Sequence, residues 1–215
     1  EIYKGVVPSY LGADALGGAV NIVTRKDKSN FLDLSYSFGS FHTHIADLNA
    51  LFVLPQSKII IKPTIGVNFS KNDYTMKGVE LWNEEVRKYL PTNVRRFHDD
   101  YLSLFTQMEI GVENKTWADA FYLSGSYSKI NKELQTGAIQ TIVYGMAERE
   151  QNAWNISARY NKRNLFTDGL QANVLVSQTW DHSVTIDTAY RKYQWNGNYI
   201  ESSRNEITGR GKQLR

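Results

Sequence analysis

Few side chains in this sequence could bind a metal or move a proton. His42 and His44 alternate, so an extended backbone would set both imidazoles on one face, as a metal or haem handle requires. His98 runs into Asp99 and Asp100, a cluster able to hold a cation, and Asp181 precedes His182. None of these grows into a catalytic set. No serine stands in a recognisable nucleophile elbow to serve Asp181 and His182, and the absence of cysteine removes thiolate ligands and disulfides. All four histidines fall on expected loops or strand ends, where solvated imidazoles need no ligand. The sequence points to no catalytic residue, metal site or cofactor, and so to a protein that is not an enzyme. A second polar set is spread along the chain: Asp33, Lys62, Gln107, Glu109, Asn155 and Arg159.

What these six share is the kind of element that carries them. Residues 31–38 place Leu32, Leu34, Tyr36 and Phe38 on one face against Asp33, Ser35 and Ser37 on the other. Side chains of a strand point alternately to opposite faces, so this segment is a strand with one apolar side. The same alternation recurs at 44–54, 59–70, 101–112, 119–128, 152–161 and 170–180. In the second of the seven, Leu51 and Val53 blur the polar face. In the third, Pro63 predicts a local irregularity, because proline has no N–H to give to a ladder.

The connections run short, short, long (72–100), short, long (129–151), short, then long again beyond 181. In a meander, alternate connections lie at opposite ends of the sheet. One end therefore gathers the tight turns and the other the long loops, the habit of outer-membrane barrels. Within 72–100, Trp82, Val86 and Tyr89 or Leu90 recur at helical spacing. Glu84 and Lys88 are four apart and Pro91 follows, which predicts a short loop helix. Tyr74, Trp82, Tyr89 and Tyr144 are loop aromatics available to pack the loops or to meet a ligand.

Composition agrees with strands: 13 Tyr and 5 Trp against 4 Pro. The 25 basic and 22 acidic residues are interspersed, without the basic block of a nucleic-acid groove. No apolar run of about 18 residues exists, so no membrane helix is expected, but a membrane strand needs only about ten with one apolar face. A soluble sandwich would alternate in the same way. Against it stand strands longer than the usual five or six residues, loops segregated by end, and aromatics near both ends of the apolar faces. Phe121, Tyr127, Trp154, Tyr160 and Trp180 are the expected membrane-interface aromatics.

Ahead of the strands lies a glycine-rich knot. "EIYKG" reads as a strand, "VVPSYLGADALGG" as a tight excursion and "AVNIVTRK" as a second strand. The ordered set Gly5, Pro8, Gly12, Ala15, Gly17, Gly18 and Asn21, with "NIVT" closing it, resembles the end of the plug domain of TonB-dependent outer-membrane receptors. The resemblance implies a transmembrane antiparallel up-and-down β-barrel of about 22 strands around a plug. Residues 1–27 would be the C-terminal end of the plug, and 28–215 a fragment holding about seven barrel strands. It further implies uptake of a scarce large ligand, whether siderophore, haem, cobalamin or glycan, across a Gram-negative outer membrane. Energy would come from the TonB–ExbB–ExbD complex, acting through an N-terminal box that this sequence lacks. The six inward polar residues become possible plug–wall contacts or a solvated lumen wall. A passive porin-like or adhesin barrel, and a soluble β-sandwich binding module, remain the alternatives.

Overall fold

A computed structural model describes residues 2–4, 18–20, 29–137 and 142–210. The described chain is all-β. A short antiparallel pair comes first, β1 (Ile2–Lys4) with β2 (Gly18–Val20). Of the seven motif residues only Gly18 is described. It sits at φ 145° opposite Lys4, and an added Cβ would lie 2.5 Å from the Tyr3 carbonyl oxygen, so the close approach demands glycine. Gly5, Pro8, Gly12, Ala15, Gly17 and Asn21 lie outside the described residues.

The seven alternating segments form one open antiparallel sheet. They are β3 (Phe31–Gly39), β4 (Thr43–Val53), β5 (Ile59–Ser70), β8 (Tyr101–Glu113), β9 (Ala120–Glu133), β10 (Glu148–Arg163) and β11 (Gln171–Ile186). Their spatial order follows the chain, each strand pairing with its predecessor and successor in the sheet. β3 and β11 are its two edges. Among the described residues, the substantial packing between elements runs along hydrogen-bonded neighbours, and no second sheet packs substantially on either face.

The apolar face is consequently open. Leu34, Tyr36 and Phe38 on β3 are each about two-thirds exposed, and Ile156, Val176 and Trp180 are more than half exposed. The small buried cluster lies instead on the polar face: Leu51, Ile60 and Tyr122, with Val53 and Ala120 packed against it. The two residues that blur the pattern of β4 are thus the ones with a packing role.

Pro63 leaves its mark in an interior strand. The β4–β5 register runs through Asn49 with Thr64, lapses, and resumes unshifted at Phe52 with Ile61. Both missing pairs, Ala50 with Pro63 and Leu51 with Lys62, depend on the N–H that proline lacks. On the β8 side Pro63 pairs normally with Met108.

Ends of the sheet differ as the connection lengths require. Tight turns at 54–58, 114–119 and 164–170 share one end, with Lys58, Asn114 and Asn164 near φ 50° to reverse the chain. They are tied sideways: the Lys115 ammonium donates to the Ser57 carbonyl at 3.2 Å, and Arg163 donates to Asp119 from its backbone N–H and its Nε. The other end carries the long connections 71–100, 134–147 and 187–210, beside the short 40–42 turn.

Within 71–100 the expected helix is not formed. β6 (Thr75–Asn83) and β7 (Lys88–Arg95) make a hairpin in which Trp82 opposes Tyr89 and Leu81 opposes Leu90. The Asn83 side chain accepts from the N–H groups of Glu85 and Val86, closing the turn locally. Aromatic and aliphatic residues spaced to meet across a four-residue turn also satisfy a helical template, and cross-strand pairing wins here. Pro91 is accommodated on β7, a strand with one neighbour. A bulge between Met76 and Val79, with Gly78 at φ 69°, bends the hairpin near its base. The last loop holds another small pair, β12 (Arg191–Tyr193) with β13 (Tyr199–Glu201).

Replacing Pro63 with Val should complete the β4–β5 ladder and stabilise the sheet by about 1 kcal/mol. Slower amide exchange at Ala50 to Phe52 would show it; unchanged or faster exchange there would contradict it.

Candidate functional site

The polar face gathers its charge around one aromatic ring. Cross-strand partners share a face, and the pairs Lys62 with Glu109, Ser124 with Glu109, and Tyr122 with Arg159 bring four strands' side chains together. The Lys62 ammonium donates to Glu109 Oε1 at 2.7 Å, and Arg159 Nη2 reaches Glu109 Oε2 at 3.5 Å. Both cations also lie against the Tyr122 ring, Lys62 at 4.5 Å and Arg159 at 4.9 Å from its centre. The Tyr122 hydroxyl donates to Glu113. This ring is only 4% exposed because it lies over Gly111, where an added Cβ would run into the ring and stand 2.5 Å from the Phe121 carbonyl oxygen. Glycine here is a socket. The ring adds cation–π attraction to the two ion pairs, while Lys62 and Arg159 keep part of their side chains in solvent.

Of the six inward residues expected from the sequence, the structure unites Lys62, Glu109 and Arg159. Gln107 donates to Ser124 Oγ at 3.1 Å and Asn155 donates to Thr179 Oγ1 at 2.8 Å. These two pair within the sheet as well. Asp33 stands apart on the exposed edge strand β3, opposite Asn49. The ring at the centre was not among the expected site residues. Its signal was present in the alternation, a lone aromatic among the serines of β9, but the glycine beneath it belongs to a neighbouring strand and shows only in register.

On the other face, the aromatics expected at an interface fall in two rows. Phe121 opposes Tyr160 close to the tight turns, with Trp117 edge-on to Phe121 at 5.5 Å and its carbonyl accepting from the Tyr160 hydroxyl at 2.7 Å. Six residues further along, Tyr127 opposes Trp154, their rings 4.4 Å apart, and Trp154 opposes Trp180. All of these rings except Phe121 carry a polar N–H or O–H edge beside an apolar body.

The long-loop end is held by carboxylates. Asp99 is buried and accepts from the Arg96 Nε at 2.6 Å and from the Lys132 ammonium. His98 Nε2 lies 2.7 Å from the Ala147 carbonyl and Nδ1 is 3.6 Å from Glu133. Glu206 accepts from the backbone N–H groups of Gly145 and Met146, at 2.8 and 3.1 Å, stapling the last loop to the 134–147 loop. Asp187 in turn accepts from the N–H groups of Glu206, Ile207 and Thr208. Burial pushes the carboxyls of Glu206 and Asp100 above the ordinary range, with Glu133 adding repulsion at Asp100. At the tight-turn end, Asp119 is held below that range by its bonds from Arg163.

The remaining histidines are ordinary. His42 Nδ1 is 3.7 Å from Asp73, His44 Nδ1 is 2.8 Å from the Tyr36 hydroxyl, and His182 is exposed on β11. His42 and His44 do not converge on a common ligand position, and no group of three His, Asp or Glu able to hold a metal occurs among the described residues. Trp82 and Tyr89 face each other on the hairpin at 5.3 Å, while Tyr74 packs against Phe41 and carries the Arg96 guanidinium. Tyr144 is buried within its own loop.

No protein-family model, no curated protein and no solved structure matches the chain.

Two measurements test these assignments. Gly111→Ala should destabilise by about 1–3 kcal/mol through overpacking against Tyr122, whereas Gly125→Ala, with nothing within 4 Å, should leave melting unchanged. Equal melting points would remove the socket. In a pH titration followed by carboxyl NMR, Asp119 should have its midpoint below 3.8 and Asp100 above it. The Asp119 contribution is then lost as pH falls through its lowered value. For Asp100 the sign reverses: stability is fully present below 3.8 and is lost as pH rises through the raised value.

Proposed function

We propose that this chain is part of a TonB-dependent outer-membrane receptor, with residues 1–27 closing the plug and 28–215 forming the first seven strands of the barrel wall. The observation that carries the reading is the open apolar face. Seven long strands satisfy one another's backbone groups in a single layer, and no second layer covers their oily side chains among the described residues. In water such a face would aggregate. In hydrocarbon it is the low-energy surface, because the backbone polar groups are already paired within the sheet. The segregation of long connections to one end and tied tight turns to the other supports the same reading.

The plug assignment rests on the glycine-rich motif and on the β1–β2 pair that brackets it. An ordered Gly5 to Asn21 set followed at once by wall strands distinguishes a receptor from a passive porin-like or adhesin barrel. In mechanism, the plug would meet a wet polar wall rather than a dry core, so force transmitted from the inner-membrane complex could move it without unfolding the strands. The Lys62–Glu109–Arg159 cluster is internally neutralised, with two cations around one shared carboxylate and Glu113 nearby, which favours release over permanent adhesion. The cargo is a scarce large ligand of the siderophore, haem, cobalamin or glycan kind. It would be met first by the long loops, and Trp82 and Tyr89 stand exposed on their hairpin for that contact.

The experiment is uptake by cells carrying the intact receptor, with and without collapse of the inner-membrane proton gradient. Energised uptake that stops with the gradient is expected. Flux that continues unchanged belongs to a passive pore and would sink the receptor assignment. A purified protein that stays monodisperse in plain buffer would return the sandwich reading.

A further inference from the structure

At the tight-turn end, two adjacent turns enclose an open cleft of about 520 Å³. It is lined by Asp119 from the 114–119 turn, Lys162 and Arg163 at the end of β10, Asn164 and Gly169 of the 164–170 turn, and Gln171. Register sets the side on which it lies. Lys162 opposes Ala172, two residues beyond Tyr160 opposite Val174, so it belongs to the apolar side of the sheet. Its ammonium stands 3.6 Å from Asp119 Oδ1. The cleft therefore continues the apolar face past the row that Phe121 and Tyr160 form.

Its charge does not balance. Lys162 and Arg163 both reach Asp119, the one carboxylate among the described residues that line it. Asp168, on the same turn as Asn164, stays out of the lining. The Lys62–Glu109–Arg159 cluster has the same count, but there Glu113 stands beside the ring that both cations touch. Here one positive charge is left over. Asp119 takes the backbone N–H and the Nε of Arg163, and with the side chain 76% exposed the terminal Nη groups remain available. Gly169 keeps the cleft open, since an added Cβ there would meet nothing within 4 Å. The same two turns hold large apolar side chains in solvent: Trp117 and Leu170 are about half exposed, and Phe166 is 88% exposed. Cations beside bare aromatic and aliphatic groups suit a boundary between headgroups and acyl chains.

We propose that this cleft binds the headgroup of an anionic glycerophospholipid, its phosphodiester on Lys162 and Arg163 and its acyl chains along the apolar face beside Trp117, Phe121 and Tyr160. The inference rests on the proposed membrane reading and adds a defined lipid site to it. A phosphodiester carries a single negative charge, which matches the surplus of the lining, and a guanidinium presents paired donors to its oxygens. The hydroxyls of a phosphatidylglycerol headgroup can bond to the Asn164 and Gln171 amides. A choline headgroup would instead bring a further cation to a lining that already has one to spare. Lys162 lies two residues, about 6–7 Å, beyond Tyr160, a depth suited to a phosphate just outside the acyl chains. Short turns of outer-membrane barrels face the periplasm, so the periplasmic leaflet supplies the lipid.

The test is native mass spectrometry of the intact receptor, extracted in a neutral detergent and offered equal amounts of phosphatidylglycerol and phosphatidylcholine. Phosphatidylglycerol should be retained in preference. Lys162→Gln or Arg163→Gln should weaken its retention about fivefold, and the two together about thirtyfold. Arg163→Gln alters an exposed side chain, so its effect is read without loss of packing. Lys58→Gln removes a cation from the neighbouring 54–58 turn, outside the cleft, and should change nothing. No preference between the two lipids, full retention by the double variant, or an equal loss with Lys58→Gln overturns the site. So does displacement of the lipid by inorganic phosphate, which would mark a simple anion site. Each of these results leaves the membrane reading standing if extraction required detergent. A receptor that stays monodisperse in plain buffer removes the membrane reading and the lipid site together.

Discussion

Everything in this sheet depends on one division of labour: the backbone satisfies itself within the sheet, which leaves one face apolar and the other polar. Each interior strand gives its N–H and C=O groups to two neighbours, and side chains alternate strictly between an apolar and a polar surface. In the proposed membrane setting, no side-chain layer would be needed to protect the backbone from hydrocarbon. The exceptions are local and explicable. Pro63 interrupts one ladder for two residues without shifting the register, because only one missing donor is involved and the flanking pairs are set by their own alternation.

The polar face shows how such a wall handles charge. Glu109 is shared by Lys62 and Arg159, and Tyr122 fills the space between wall and solvent by resting on Gly111. Charges that would otherwise attract anything passing along the surface are matched in place. The few apolar residues on this face, Leu51 and Ile60 above all, are buried by that ring and its neighbours rather than by a core. A single aromatic over a glycine therefore supplies the nearest thing to a hydrophobic core among the described residues.

How much of this was legible in the sequence follows from range. The seven strands and their faces were readable because period-two alternation is a local property, and chain order sufficed for topology since every neighbour is a hairpin partner or is separated only by a loop. The Pro63 irregularity was readable for the same reason. The segment from Trp82 to Leu90 was misread as helix because eight or nine residues around a turn fit both periods, and the deciding contact, Trp82 against Tyr89, becomes visible only once the turn is placed. The seating of Tyr122 on Gly111 was out of reach because it depends on the register set across the 114–119 turn, and the Glu206 staple because it joins two separate loops. Lys62, Glu109 and Arg159 could be assigned to one face, but not to one another.

Glu206 has a wider consequence. Its carboxylate receives two backbone N–H groups from a loop about sixty residues earlier, and Asp187 fixes the segment that presents it. Neither loop owns its shape. An antibody raised against either as a free peptide would meet an outline the folded protein never shows, and a sequence spliced into one loop would be felt in the other. The outward display of this end is a joint property of two distant stretches, and it would have to be transplanted or altered as a pair.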